Sequence, residues 1–101
     1  MGDTERRTKQ FRGISARLAV RYLRKLGGTP LVDGETAPDA DDTAVSVVTG
    51  EGWIASVDSK KVRVGTSSLT LTEVTVEFDG TPAALDPLIA AFSQKAMRAG
   101  G

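Results

Sequence analysis

Apolar positions along Ser68–Phe78 fall into two alternating sets. Leu69 and Leu71 form one; Val74, Val76 and Phe78 form the other. Side chains alternate across a strand with a period of two, and these sets are one residue out of phase. A bulge near Thr72–Glu73 would bring both onto one face. The pattern therefore predicts a long, bent strand with Leu71 and Val74 both facing the core. Thr70, with Thr75 or Glu77, takes the polar face.

Two amphipathic stretches can cover that strand. In Ala16–Leu26, residues Leu18, Ala19, Tyr22, Leu23 and Leu26 share one helical face, with Arg17, Arg21, Arg24 and Lys25 largely opposite. Ser15 suits the N-cap, and Gly27–Gly28 suits a left-handed stop. The second stripe is Leu85, Leu88, Ile89, Phe92 and Ala96. Thr81-Pro82 and Asp86-Pro87 both resemble helix starts, so a kink or restart is expected near Asp86.

The remaining pattern is one of short strands. Lys9–Arg12 reads as a charged edge strand after a frayed start, Met1–Glu5. Thr29–Val32 begins a strand that Pro30 confines to an edge or an end. Asp33–Thr43 lacks large apolar residues and reads as a mobile loop. Ala44–Thr49 is valine-rich. Trp53, Ala55 and Val57 alternate over Trp53–Val57, Asp58–Lys60 reads as a turn, and Lys61–Val64 follows as a short strand. Short connections imply antiparallel neighbours. The expectation is an α+β fold of order β-α-β-β-β-β-α: a curved antiparallel sheet with two helices on one face and the other face open.

Composition narrows the chemistry. The 101 residues suit a single domain, 1–101, with one modest core. There is no Cys and no His. Disulfides, thiolate nucleophiles, imidazole bases and the commonest transition-metal ligands are thereby removed. No catalytic residues, metal or cofactor are expected. No apolar run approaches membrane-spanning length, and no apolar stretch follows MGDTERRTKQ as in a signal peptide. A cytoplasmic protein without membrane contact is the expectation. The net charge is zero but unevenly spread. The first 25 residues carry eight basic and two acidic side chains, and the rest carry five and eleven.

The strings RLAVRYLRKLGG, GEGWIASV, VRVGTSSLTLTEVTVEF and LDPLIAAFSQKAMRAGG together resemble the C-terminal domain of proteins related to the molybdopterin-synthase sulfur carrier (MoaD). The resemblance runs from about Arg6 to Gly101 and implies a fold similar to a TATA-binding-protein half. The ubiquitin-like β-grasp of the carrier itself is absent. The resemblance brings no functional residues with it. It implies an accessory or protein-interaction role near sulfur-carrier chemistry, with a protein as partner.

Four features carry candidate chemistry. Gly100–Gly101 matches the handle by which carriers enter an adenylating site, yet the residues before it look helical almost to the end; a helix fraying at two glycines explains it more simply. Arg6, Arg7, Lys9, Arg12, Arg17, Arg21, Arg24 and Lys25 could contact phosphates. A single tryptophan and no paired aromatic motif argue against nucleic acid. Asp33, Glu35, Asp39, Asp41 and Asp42 lack the spacing of a calcium loop and read as a solvated surface. Trp53 could line a pocket between sheet and helices, although a lone tryptophan is more often core. The carboxylates Glu73, Glu77 and Asp79 show no pattern of catalytic partners.

Overall fold

A computed structural model describes residues 4–63, 65 and 69–100. The elements are β1 (Glu5–Arg12), α1 (Ala16–Lys25), β2 (Thr29–Val32), β3 (Glu35–Thr36), a 3-10 turn (Asp42–Ala44), β4 (Val47–Gly50), β5 (Trp53–Arg63), β6 (Thr70–Gly80) and α2 (Pro82–Gly100). With the two-residue β3 set aside, this is the expected β-α-β-β-β-β-α order, with β5 as one strand where Trp53–Val57 and Lys61–Val64 were expected as two. Six strands form an open, curved sheet in the order β1-β6-β5-β4-β2-β3, and every pairing is antiparallel. The two helices cover one face, as in a TATA-binding-protein half.

The expected bulge in β6 is absent. β6 pairs with β5 without a break from Trp53 opposite Gly80 to Arg63 opposite Thr70, and with β1 from Glu5 opposite Gly80 to Arg12 opposite Glu73. The register with β5 runs unbroken through Glu73, Thr72 and Leu71, which leaves no room for an extra residue there. Val74, Val76 and Phe78 are wholly buried, whereas Leu71 lies on the other face, 37% exposed. It stands opposite Val62 of β5 on that face. Leu69 is 61% exposed. Ser68, where the strand was expected to begin, lies outside the described residues.

β5 also differs from expectation. Asp58, Ser59 and Lys60 make no turn. They pair with Thr75, Val74 and Glu73, and one strand replaces two. Val64, the last residue of the expected Lys61–Val64 strand, lies outside the described residues. β1 is longer than its propensity suggests and begins at Glu5, because β6 offers eight residues of ladder. Residues 1–3 lie outside the described ones.

The helix ends follow local chemistry. Ser15 Oγ accepts from the Leu18 amide at 3.1 Å, which caps α1. At the other end Gly27 adopts φ +97°, the Gly28 amide donates to the Leu23 carbonyl, and the Gly27 amide donates to that of Arg24. This is the Schellman stop. Thr81 Oγ1 accepts from the Ala84 amide at the start of α2. α2 then runs through Pro87 as one helix, so the expected restart is absent. Ala83 and Pro87 are both exposed, so the carbonyl that Pro87 leaves unpaired faces water.

The core lies between the helices and the sheet. Leu85, Leu88, Ile89, Phe92 and Ala96 are all buried, which is the stripe the spacing predicts. Phe92 meets Phe11, Tyr22 and Phe78 at ring-centroid distances of 5.0, 5.9 and 5.8 Å. α1 buries Ala19, Val20 and Leu23, while Leu18, Tyr22 and Leu26 are only partly buried. Val20, outside the expected stripe, goes inside because α1 also meets α2 and the 3-10 turn.

Candidate functional site

Strand alternation and register divide the side chains cleanly. Opposite residues share a face, so the buried Phe78 and Val74 place Arg7 and Phe11 on the helix side. Arg6, Thr8, Gln10 and Arg12 then lie on the open face, beside Asp79, Glu77, Thr75 and Glu73 of β6. Ile54, Ser56, Asp58, Lys60 and Val62 of β5 continue that surface.

Acidic residues balance the basic ones there. Arg6 Nε lies 2.8 Å from Asp79 and 3.3 Å from Glu77, and these contacts raise the guanidinium pKa further, chiefly through the Asp79 hydrogen bond. Glu73 is the one buried charged residue among those described, 6% exposed. Its carboxylate sits between Arg12 Nε at 3.2 Å and Lys60 Nζ at 3.7 Å. A phosphate backbone approaching this face would meet Asp58, Glu73, Glu77 and Asp79 as well as the cations, and electrostatics would not favour it.

The eight basic residues named above do not form one patch. Arg6 and Arg12 lie on the open face, whereas Arg7 turns toward the helices and pairs with Glu5 and Asp86. Its pKa is raised, mostly by the Asp86 hydrogen bond. Arg17, Arg21, Arg24 and Lys25 lie on α1. Arg21 and Arg24 both reach Asp42, at 3.6 and 2.8 Å. Lys9 on β1 is exposed.

Arg24 has a structural task that composition conceals. Its guanidinium donates to the Ala40 carbonyl, the Pro38 carbonyl and the Asp42 carboxylate. The acidic segment is therefore a built connection, with β3, a 3-10 turn and three bonds to one arginine. Asp41 accepts from the amide and the hydroxyl of Thr43, both at 2.9 Å. Those bonds, the amide first, hold its carboxyl below the usual carboxylate range. Asp33, Glu35 and Asp39 are exposed. Among the described residues, no three acidic groups are placed to hold a metal ion.

Trp53 lies on the helix side and is 8% exposed. A Cβ on Gly50 would stand 2.2 Å from its indole, and one on Gly28 would stand 2.8 Å away. Only residues without side chains fit against this ring. Its rim borders a shallow depression of about 390 Å³, lined also by Thr49, Gly52, Ile54 and Asp79. Trp53 is thus chiefly core, with one edge on an open hollow. Gly100 is the last residue of α2, and Gly101 lies outside the described residues.

No helix among the described residues is long and apolar enough to cross a membrane. No curated protein matches the chain. The model of the archaeal MoaD-like protein family matches residues 7–101, in agreement with the resemblance carried by the sequence strings, and the chain belongs to that family.

Proposed function

We propose that the chain works as a single-domain, cytoplasmic accessory of sulfur-carrier chemistry, acting by holding a protein partner. Membership of the MoaD-like family supports a non-catalytic, carrier-related role. The observation that carries the reading further is the state of the charged side chains. Arg6, Arg7, Arg12, Arg21 and Arg24 are committed to acidic partners within the fold. Their engagement inside the fold favours a role in binding over one in chemistry.

The diglycine reading is the competing one. An extended Gly100–Gly101 reaches about 7 Å. α2 is helical through Gly100, so entry to a deeper site would require its last turn to unwind. The test is calorimetric binding to the adenylating enzyme of the host's sulfur-carrier system. We expect the full chain and a variant ending at Ala99 to bind alike. Loss of binding in the shortened variant would transfer the function to the C-terminus.

A further inference from the structure

The two outer edges of the sheet are protected in different ways. Unpaired strand edges invite other strands, and proteins blunt them by shortness, proline, bulges or charge. β3 is two residues long and is followed closely by Pro38. β1 is eight residues long, unbulged against β6, and free of proline and glycine. Its guard is charge, mostly of one sign along the strand: Arg6, Arg7, Lys9 and Arg12 against Glu5, with Arg6 and Arg12 paired to β6 carboxylates yet still more than half exposed.

The backbone groups that point outward can be named. The Val57 amide donates to Ser46, so odd residues of β5 point their amides toward β4. Alternation carried across the register makes Glu5, Arg7, Lys9 and Phe11 face β6. Arg6, Thr8, Gln10 and Arg12 then direct their amides and carbonyls away from the sheet. All four are exposed.

We propose that the β1 edge accepts an extended, acidic strand from a partner protein, which adds to the sheet beside β1. Main-chain bonds to Arg6, Thr8, Gln10 and Arg12 supply the attachment. The cations of β1 supply the selection. A second copy of β1 would set like charges side by side, whereas glutamates or aspartates at alternate positions share one face and, on the open side, would meet the exposed parts of Arg6 and Arg12. The proposal rests on the reading of the chain as a protein-interaction domain and names the surface and the kind of partner. Failure at this edge would leave the calorimetric test above unaffected.

The experiment uses the intact chain and a short, capped peptide of alternating glutamate and valine, with amide exchange followed by NMR. The expected result is slowing of Thr8 and Gln10 exchange by about tenfold or more at saturation. The lysine-for-glutamate peptide should bind about tenfold more weakly or not at all. Gln10→Pro removes one outward donor while leaving the β1–β6 ladder intact, so it should fold and lose the effect. Binding without protection at Thr8 and Gln10 would overturn the proposal, as would absence of binding at millimolar peptide. Protection at Ser59 and Lys61 instead would move the site to the outer edge of β5 and contradict it. Concentration-dependent protection without peptide, or protection by a single-stranded oligonucleotide, would assign the edge to a different occupant.

Discussion

The rings of Phe11 and Phe92 meet at a centroid distance of 5.0 Å with a tilt of 60°. This contact joins the edge strand β1 to α2, and Tyr22 and Phe78 close around the same ring. Phe92 is wholly buried, so Phe92→Ala should cost about 3–5 kcal/mol. Leu71→Ala should change stability by about 0.5 kcal/mol or less, because Leu71 stands on the open face. Urea melts of both variants check the pair. Equal losses would mean that the two residues share the core.

Much of this core was legible. The spacing of Leu85, Leu88, Ile89, Phe92 and Ala96 marks a face that any helix would have to bury. Ser15 and Gly27 mark the ends of α1 by local chemistry alone. What stayed hidden depends on long-range pairing. Asp58–Lys60 has turn composition, yet β6 supplies a ladder that holds it extended. Leu71 looked like core because apolar residues usually are, and its phase could be judged only against two neighbouring strands. Arg24 was one cation among eight until the fold set Pro38, Ala40 and Asp42 around it. The site is less legible than the core for the same reason, since edges and open faces exist only once strands are ordered.

Arg24→Ala should loosen residues 38–42 without unfolding the chain. Three hydrogen bonds vanish together, and Asp42 keeps only Arg21. Heteronuclear NOE values across that segment should fall. Global stability should drop by about 1.5–3 kcal/mol, the range for a hydrogen bond to a charged group. Arg24→Lys should resemble the alanine variant, because one ammonium lacks the planar fork that reaches all three oxygens. Unchanged NOE values would show that the segment is held by other contacts.

Acid should act on the same connection through Asp41. Its carboxyl is depressed below the usual 3.8 by the Thr43 amide and then the Thr43 hydroxyl. A depressed carboxylate contributes stability that is complete above its unfolded pKa and is lost as pH falls through the lower folded value. The stability difference between the parent chain and Asp41→Ala should therefore shrink on acidification from about pH 5 to about pH 2. Thermal melts across that range give the answer. A difference that stays constant would separate Asp41 from the acid response.

Gly50→Ala should disturb Trp53 directly. The added methyl would meet the indole at 2.2 Å, and the ring is buried with no free end to swing aside. Overpacking of this kind costs about 1–3 kcal/mol. Tryptophan emission should shift to the red as the ring is pushed toward solvent. Native emission and parental stability would show that the cradle yields cheaply.

An accessory of carrier chemistry, as proposed above, assists without being activated itself. The most direct measurement is mass spectrometry of the protein after incubation with ATP and the adenylating enzyme of its host's sulfur-carrier system. The expected result is an unchanged mass, because α2 stays helical through Gly100. A thiocarboxylate at Gly101, or a conjugate whose linkage maps there, would contradict it and make the chain a carrier in its own right.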